Sequence, residues 1–402
     1  MRLAILYSHL REFGGVERVV LKQAELLRGQ GHEVTCLFAY VDTKRFTEYV
    51  KDKVTIQSYF NPFIPNNETL RVVLSLPFAP LISPAFKGMN LLICHGYGPA
   101  PWIGYNIKLI NGINYLTYVH SIPRFLYLGS KERRLWRQDP TRRRIFSLGR
   151  FSFPLIAKID RMSVINSKHV FANSHYTAGQ IRKIYGSKAS VCYPPVDTKL
   201  FKLINDKSLI DEVCSRYRVS KPIVLSTGRI IPLRKLEWLI HAMKYIVKIF
   251  PSATLAITGE VSANNADYVR TLVRVAHSLG VEKSVRLLGF VPNDELVKLY
   301  NTADVYVHSC PHEAFGLSPV EAMACGTPAV VWDDGAGPCE TVINGRTGFR
   351  ARPYDVEDFA EKIMKIFDMD NQTVSKFSSE YVQRNFSCEK HLELLNKAIG
   401  KL

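Results

Sequence analysis

The sequence lacks the cysteine and apolar patterns of a disulfide-stapled, zinc-binding or membrane-spanning protein. Its 8 cysteines are scattered, with no C-x-x-C pair and no histidine pairing at zinc spacing. This favours a reduced cytosolic chain over a disulfide framework. The opening run MRLAILYSHLREFGG is interrupted by His9 and Arg11, so we expect no signal peptide. The apolar segment 72–86 holds three prolines and is shorter than the roughly 20 residues of a spanning helix.

Length and composition indicate a soluble globular protein with two domains of ordinary size. The chain has 402 residues, of which 47% are hydrophobic and 22% charged, which excludes a disordered or fibrous protein. The net charge of +17 is unevenly distributed: residues 1–200 hold 28 Lys and Arg against 12 Asp and Glu, whereas the remainder is nearly balanced. The asymmetry predicts a polyanionic partner for the first half, either nucleic acid or an anionic membrane.

Two segments of the first half have more than one interpretation. Segment 72–86, VVLSLPFAPLISPAF, is either a buried core segment or an interfacial patch flanked by Arg71 and Lys87. Segment 131–150, KERRLWRQDPTRRRIFSLGR, carries eight basic residues with one Trp and one Phe. It is either a solvated basic helix and loop or a surface that binds phosphate-rich material.

Short apolar runs alternate with amphipathic segments along most of the chain. RLAILYS, a Gly-Gly turn, a helical segment and HEVTCLFAY open a parallel sheet. The second half repeats the pattern with PIVLSTG, ATLAITG, SVRLLGF, DVYVHS and AVVW, each followed by a predicted helix. We therefore predict an α/β protein with two doubly wound units in tandem and a boundary near Pro194-Pro195.

Four groups of residues are expected at the carboxyl ends of strands, where doubly wound sheets bind ligands. Gly14-Gly15 precedes a helix and allows close backbone approach to a bound group. His120 ends a strand, and either contacts a ligand or is a satisfied core histidine. Arg229 and Lys235 together resemble a diphosphate clamp, although Arg229 fits a surface ion pair as well.

The fourth group is PHEAFGLSPVEAM, residues 311–323, which places Glu313 and Glu321 eight positions apart. Ser318, Pro319 and Glu321 fit a capping box, with Ser318 at the N-cap and Glu321 at N3. Gly326 would end that helix as its left-handed C′ residue. The capping box explains Glu321 without a ligand and leaves Glu313 unexplained.

In combination these groups resemble the retaining glycosyltransferases of family 4, and the mannosyltransferases among them. The resemblance runs nearly end to end, through GGVERVV, YVHSIPRF, VFANSHYTAGQIRKIYG, YPPVDTKLF, TGRIIPLRK, GFVPNDEL, NTADVYVHSC and HEAFGLSPVEAMACGTPAVV. It implies a GT-B fold, in which two Rossmann-like parallel-sheet domains face a central cleft. Residues 1–195, completed by helix 386–402, would form the acceptor and membrane side. Residues 196–385 would form the donor side.

The resemblance also implies roles for individual residues. Glu313 would contact the transferred sugar and Glu321 the donor ribose, a role that ranks above the capping box. Arg229 and Lys235 would stabilise the leaving diphosphate, the type of electrostatic contribution that is usually largest in catalysis. His120 would orient the donor sugar or an acceptor hydroxyl. The remaining implied donor contacts are Gly15, Val291, Phe315, Gly316, Leu317 and Ser318, and the remaining acceptor contacts are Gly14 and Arg124.

The resulting hypothesis is a metal-independent hexosyltransferase of the EC 2.4.1 type, peripheral on the cytoplasmic face of a membrane. It would move mannose from GDP-mannose, in preference to a hexose from a UDP-sugar, to a lipid-linked or glycan acceptor, without a cofactor. Its first domain would bind an anionic membrane through 131–150 and 72–86. The alternatives are the same chemistry on a soluble acceptor and a nucleic-acid-binding protein; the absence of an RNA-binding signature argues against the latter.

Overall fold

The computed structural model describes residues 1–10, 14–42, 54–60, 82–96, 98–127, 153–206, 208–261 and 265–400. The chain divides into two compact units. Unit 1 comprises Met1–Pro195 and His391–Leu402, and unit 2 comprises Val196–Lys390. Segment 131–150 and residues 72–81 lie outside the described residues, so the membrane hypothesis for them stays a prediction.

Unit 1 is built on a parallel sheet of seven strands in the order β3-β2-β1-β4-β5-β6-β7. The strands are β1 (Arg2–Leu10), β2 (Glu33–Val41), β3 (Thr55–Ser58), β4 (Leu91–His95), β5 (Asn114–Val119), β6 (His169–Ala172) and β7 (Ser190–Val191). The helices are α1 (Gly15–Gly29), α2 (Pro99–Asn111), α3 (Arg124–Tyr127), α4 (Phe153–Ile165) and α5 (His175–Tyr185).

The central strands of unit 1 are buried on both faces, as parallel strands covered by helices are. Leu3 and Ile5 of β1 belong to one apolar cluster, and Ala4 and Leu6 belong to another on the opposite side. Ile82 and Phe86, at the end of segment 72–86, are buried in the second cluster. Pro84 and Ala85 between them are exposed, so the core interpretation holds for the side chains of Ile82 and Phe86 only.

Unit 2 contains a parallel sheet of six strands in the order β10-β9-β8-β11-β12-β13. The strands are β8 (Ile223–Thr227), β9 (Thr254–Thr258), β10 (Val285–Gly289), β11 (Val305–His308), β12 (Ala329–Trp332) and β13 (Gly348–Ala351). The helices are α6 (Ser208–Tyr217), α7 (Leu236–Ile249), α8 (Ala266–Ser278), α9 (Asn293–Thr302), α10 (Leu317–Ala324), α11 (Pro338–Thr341), α12 (Val356–Phe367) and α13 (Asn371–Phe386).

The last helix, α14 (Cys388–Ile399), begins in unit 2, and its residues from His391 onward belong to unit 1. Leu395, Ala398 and Ile399 of this helix pack in the same apolar cluster as Leu3 of β1. No helix in the described part of the chain is long and apolar enough to cross a membrane.

The predicted fold class of two Rossmann-like parallel-sheet units is confirmed. Each sheet has a switch point, where the strand order reverses direction: β1 beside β4 in unit 1, and β8 beside β11 in unit 2. Ligands of open α/β sheets bind outside the carboxyl ends of the strands at such points. The polar residues predicted from the sequence follow these strands or β5, which is paired with β4.

The capping-box interpretation of Ser318 is wrong. Helix α10 begins at Leu317, its N-cap is Gly316 with φ of 84°, and no side chain among the described residues caps it. Glycine takes this position because a left-handed backbone is costly for other residues. The other end fits the prediction: Gly326 has φ of 88°, and its N–H bonds the Met323 carbonyl in a Schellman motif.

Candidate active site

The turn between β11 and α10, residues 309–316, holds Glu313 through backbone contacts, and we call it the Glu313 turn. Glu313 Oε1 accepts a hydrogen bond of 3.1 Å from the Ala314 N–H, and its carbonyl oxygen accepts one of 2.9 Å from Gly337. A Cβ on Gly337 would lie 2.2 Å from the Ala314 oxygen, so only glycine permits this approach. The Asp334 carboxylate accepts from the His312 N–H at 2.8 Å. The turn is therefore fixed by the loop that follows β12.

Glu313 is ionised at physiological pH. Burial acts to raise its pKa, but contact with His308, the positive charge of Arg234 and the Ala314 N–H together lower the pKa to about 2. His308 Nε2 lies 3.6 Å from Glu313 Oε2, and the His308 side chain is 3% exposed. Burial lowers the pKa of His308, although Glu313 opposes this. A side chain with a fixed negative charge and 29% exposure can accept hydrogen bonds from ligand hydroxyl groups.

Arg234, which the sequence interpretation missed, is the cation that acts on Glu313. Its guanidinium donates to the Thr227 carbonyl at the end of β8, with Nη1 to O at 2.8 Å. Gly228, with φ of 118°, makes room for it, because a Cβ there would lie 2.5 Å from the guanidinium carbon. The segment TGRIIPLRK contains Arg234, but only the fold shows that its side chain turns back to the strand end.

The two predicted clamp residues precede and follow Arg234 in the sequence. Arg229 is exposed just beyond β8. Lys235 has φ of 54° and is the N-cap of α7. Its Nζ lies 3.7 Å from Glu237 Oε1 and 5.9 Å from the centre of the Trp238 ring. Glu237 thus supplies the anion that a cation at a helix N-terminus requires. The role of Arg229 and Lys235 as a diphosphate clamp stays a prediction.

The first turn of α10 presents backbone N–H groups at the same strand ends. Leu317 and Ser318 are partly exposed and begin the helix. The ring of Phe315 is 3% exposed and packs 5.9 Å from the Phe386 ring. Uncapped N–H groups at a helix N-terminus favour anions. With Gly316, these residues form the part of the predicted donor site that suits a phosphate.

Glu321 is a buried carboxylate linked to the end of β8. It is 2% exposed, and the Tyr300 hydroxyl lies 3.4 Å from its Oε2. The same hydroxyl lies 2.7 Å from Thr227 Oγ1. Val291, another predicted donor contact, is 8% exposed and follows β10. The ribose contact predicted for Glu321 stays a prediction.

One group of three metal-ligating side chains occurs among the residues that the structure describes. The ligand atoms of His308, Cys310 and Glu313 lie within 4.8 Å of one another. An imidazole, a thiol and a carboxylate are ligands that zinc accepts. Because Glu313 belongs to this group, a bound ion would compete with its predicted sugar contact. Metal independence of the reaction stays a prediction.

In unit 1, the predicted glycine pair starts helix α1. Gly14 is its N-cap, and Gly15 is its first residue. The Glu17 carboxylate lies beneath Gly14, so that a Cβ on Gly14 would be 2.4 Å from Glu17 Oε2. An acidic side chain thus already lies near the positive end of this helix. Arg124 begins the short helix α3. The acceptor contacts predicted for these residues stay predictions.

His120, at the end of β5, belongs to a buried hydrogen-bonded chain of four side chains. Its Nε2 lies 3.0 Å from His95 Nδ1, and His95 Nε2 lies 2.8 Å from Gln23 Oε1. Gln23 Nε2 lies 3.0 Å from His391 Nε2, whose ring continues to the Tyr193 carbonyl at 2.7 Å from Nδ1. We call Gln23, His95, His120 and His391 the histidine chain. Only His120 was identified from the sequence.

The histidine chain is uncharged at physiological pH. Burial is the main cause, and it lowers the pKa of His120 to about 3 and that of His391 to about 4. The pKa of His95 is also lowered, first by burial and then by its histidine neighbours. The Tyr118 ring lies 5.1 Å from that of His95 and 4.8 Å from that of His120. A buried, aromatic environment thus keeps these imidazoles neutral.

Two protein-family models match the two halves of the chain. The model described as "Glycosyltransferase Family 4" matches residues 13–200, and the model described as "Glycosyl transferases group 1" matches residues 215–381. Together they include Gln23, His95 and His120 of the histidine chain and the turn that carries Glu313, but not His391. Both halves are therefore recognised independently as parts of a glycosyltransferase.

Curated relatives match part of the chain. A D-inositol 3-phosphate glycosyltransferase from Mycolicibacterium smegmatis is 29% identical over 231 residues, covering 57% of this chain and 52% of the relative. A GDP-mannose-dependent alpha-(1-6)-phosphatidylinositol monomannoside mannosyltransferase from Mycobacterium tuberculosis is 30% identical over 203 residues, covering 48% and 51%. The chain thus spans about half the length of the curated relatives it matches.

Solved structures share the fold over the whole chain. HepE from Anabaena in complex with UDP has a TM-score of 0.79 at 20% identity and covers 100% of both chains. A sucrose-phosphate synthase from Thermosynechococcus elongatus also has a TM-score of 0.79 at 20% identity, covering 100% of this chain and 98% of the other. At this identity the likeness concerns the GT-B fold alone.

Proposed function

The chain belongs to glycosyltransferase family 4, and we propose that it transfers a hexose from a nucleotide sugar to an acceptor hydroxyl with retention of configuration. The observation that carries the proposal is the Glu313 turn. An ionised carboxylate, a guanidinium and a helix N-terminus lie at the switch point of unit 2. These are the groups that a sugar diphosphate requires: acceptors for hydroxyl groups and donors for phosphate oxygens.

In the proposed mechanism, Glu313 accepts hydrogen bonds from the hydroxyl groups of the transferred sugar. The N–H groups of Leu317 and Ser318 hold a phosphate at the N-terminus of α10. Arg229 and Arg234 stabilise the diphosphate as it gains negative charge on leaving, and this stabilisation lowers the barrier. Glu321 holds the ribose, which requires that the ribose hydroxyl groups reach its buried carboxylate.

We propose mannose as the hexose and GDP-mannose as the donor, since several relatives are named as GDP-mannose-dependent mannosyltransferases. The same names support a lipid-linked acceptor, and the basic first half of the chain supports an anionic membrane surface. Transfer to a soluble acceptor is the second candidate, supported by a relative named mannosylfructose-phosphate synthase, which is 31% identical over 177 residues.

A donor panel tests the proposal. Purified protein is incubated with GDP-mannose, GDP-glucose, UDP-glucose, UDP-galactose and UDP-N-acetylglucosamine, and release of the nucleoside diphosphate is measured. We expect turnover of GDP-mannose above the others, and faster turnover with a polyprenyl- or inositol-linked acceptor than with free sugars. Preference for a UDP-sugar would refute the donor assignment, and no turnover of any donor, with or without acceptors, would refute the proposed function.

A further inference from the structure

The histidine chain assigns a position to each of its protons, starting at the Tyr193 carbonyl. A carbonyl oxygen only accepts, so His391 Nδ1, 2.7 Å away, must carry a hydrogen and donate it. A neutral imidazole has one N–H, so His391 Nε2 is an acceptor. The amide nitrogen of Gln23 lies 3.0 Å from that atom and donates to it.

The same logic continues to His120. The Gln23 amide oxygen lies 2.8 Å from His95 Nε2, so His95 carries its hydrogen on Nε2 and accepts on Nδ1. His120 Nε2, 3.0 Å from that acceptor, must then be the donor. A reversed Gln23 amide would require a second hydrogen on His391 Nε2, and therefore a charged ring in a site where burial disfavours charge.

One nitrogen of the histidine chain has no hydrogen-bond partner among the described residues. Among the described residues, no group forms a hydrogen bond with His120 Nδ1, whereas its Nε2 is engaged by His95. His120 is 7% exposed and lies at the carboxyl end of β5, on the edge of the sheet where ligands bind. Nδ1 is therefore the atom through which this histidine can act on a ligand.

We propose that the histidine chain locks His120 in the tautomer with hydrogen on Nε2, so that Nδ1 accepts a hydrogen bond from a hydroxyl group of the saccharide substrate. Gln23, His95 and His391 act through His120 and are positioning residues. The identity of the hydroxyl-bearing ligand rests on the proposed function, but the tautomer does not.

The fixed tautomer also determines which ligand groups His120 rejects. A neutral nitrogen lone pair attracts an O–H donor and repels a phosphate oxygen, which has no hydrogen to give. A histidine that could carry hydrogen on Nδ1, by becoming charged or by exchanging tautomers, would donate a hydrogen bond to a phosphate oxygen. The chain thus makes His120 selective for a sugar hydroxyl over the diphosphate of the donor.

The tautomer is measured directly on the full chain in the absence of substrate. The protein is labelled with ¹⁵N-histidine, long-range ¹H–¹⁵N correlation spectra are recorded, and the His120 signals are identified by their loss in His120→Asn. We expect a protonated Nε2 and an unprotonated Nδ1 on His120. A protonated Nδ1 in the wild type overturns the inference, whatever the enzyme's activity.

Two substitutions of Gln23 separate its hydrogen bonds from its packing. Gln23→Met keeps the size of the side chain but removes the acceptor for His95, and we expect a mixture of His120 tautomers. Gln23→Glu in its protonated form retains both an acceptor for His95 and a donor for His391, so we expect the wild-type tautomer. An unchanged tautomer in Gln23→Met overturns the role of the chain.

Activity then tests whether the tautomer matters. With the donor and acceptor identified by the panel, we expect Gln23→Met to lower kcat/KM about tenfold, the scale of one net hydrogen bond, and Gln23→Glu to retain most of it. Gln30→Met, at the exposed end of helix α1, is the matched control. Mixed tautomers with wild-type kcat/KM in Gln23→Met would overturn the proposed role. The expected tautomer without transfer from any donor would refute the proposed function alone.

Discussion

The two units keep their site residues in opposite electrostatic states. In unit 1, the imidazoles of the histidine chain are neutral, with the pKa of His120 lowered to about 3. In unit 2, the Glu313 carboxylate is ionised, with its pKa lowered to about 2. Burial disfavours the charged form in both places. The difference lies in the partners: among the described residues, the histidines contact neutral hydrogen-bonding groups and one another, whereas Glu313 contacts a backbone N–H and His308 and is near the charge of Arg234.

The comparison indicates how the proposed chemistry is divided between the units. A neutral acceptor is suited to orienting a hydroxyl group, and a charged cluster is suited to stabilising charge that develops on a leaving group. The overall charge shows a similar contrast, because the basic excess belongs almost entirely to residues 1–200. Each of the following predictions tests one side of this division.

The largest effect is expected from the arginines of unit 2. Arg229→Ala and Arg234→Ala should each lower kcat by roughly 10²–10³, since each removes one preorganised donor to the leaving diphosphate. Lys235→Ala should cost less than about fivefold, because its partly exposed ammonium already has Glu237 as a partner. Steady-state kinetics measure this, with Arg274→Ala on the exposed face of α8 as the control. Equal losses in Arg229→Ala and Lys235→Ala, with little loss in Arg234→Ala, would restore the clamp predicted from the sequence.

Substitution of the two glutamates, Glu313 and Glu321, should change the kinetics in different ways. Glu313→Gln should mainly lower kcat, because its carboxylate contacts the transferred sugar, and Glu321→Gln should mainly raise KM for the donor. With a pKa of about 2, Glu313 stays ionised above pH 4, so it should not produce an acidic limb in the kcat profile. If Glu321→Gln has normal kinetics and only a lower melting temperature, its bond to Tyr300 is structural.

The charge contrast between the halves predicts membrane binding through 131–150. Polybasic attraction contributes about 1 kcal/mol for each Lys or Arg near an anionic surface. Changing Arg142, Arg143 and Arg144 to Gln should therefore cost about 3 kcal/mol of binding to anionic vesicles. Sedimentation at 0.1 M salt compares the variant with the wild type, and binding should weaken at 1 M salt as the Debye length falls from about 10 Å to about 3 Å. Equal sedimentation of both proteins contradicts the prediction.

Mild acid should destabilise unit 1 more than unit 2. A histidine whose folded pKa lies below its usual value near 6.5 takes up a proton on unfolding, so stability is lost as pH falls below 6.5. At pH 5.5 His120 and His391, with folded pKa values of about 3 and about 4, each cost about 1.4 kcal/mol. The described part of unit 1 has four histidines with a lowered pKa, His32 and the three of the histidine chain, whereas that of unit 2 has His308.

Hydrogen exchange followed by peptide resolves the two units. Peptides covering 91–95 and 114–119 should lose protection between pH 7.5 and 5.5, after correction for intrinsic exchange, more than the peptide covering 223–227. The contribution of Glu313 to the stability of unit 2 should be lost only from pH 4.5 downward, because its folded pKa is about 2. Uniform loss of protection over both units would contradict this contrast.

The smallest effect is expected from metal removal. EDTA should leave kcat and KM unchanged, because the cations proposed for the diphosphate are arginines. Added Zn²⁺ provides the converse experiment, since His308, Cys310 and Glu313 can gather around it. Inhibition by Zn²⁺ that is relieved in Cys310→Ser, with Cys214→Ser as the control, would place the ion at the Glu313 turn. Activity abolished by EDTA and restored by Mg²⁺ would contradict the metal-independent mechanism.

Sequence patterns predicted the strands well because buried parallel strands are short, continuous apolar runs. They missed β3 and β13, and β13 (GFRA) lacks such a run. The capping box failed because Ser318 and Glu321 fit a general helix start, whereas the conformation of Gly316 sets the start one residue before Ser318. Glu313 was found because its motif is local and contiguous.

The histidine chain had no comparable signal. Gln23, His95, His120 and His391 come from four distant parts of the sequence, and His391 lies 368 residues from Gln23. The histidine that ends the run LLICH, one strand before the predicted His120, is the feature that could have pointed to His95. Arg234 was missed for a related reason: its guanidinium turns back to the Thr227 carbonyl at the end of β8, and nothing in the sequence marks this contact.

The placement of His391 has a consequence for biosynthesis. Ribosomes make the strands of unit 1 first, yet its histidine chain and its apolar cluster are completed by residues 391–399, after all of unit 2 has been translated. During elongation, Gln23 therefore lacks its partner His391, and the face of the core around Leu3 stays uncovered. A fragment ending at Pro195 should be poorly soluble when expressed alone, and co-expression of a peptide covering 388–402 should rescue it.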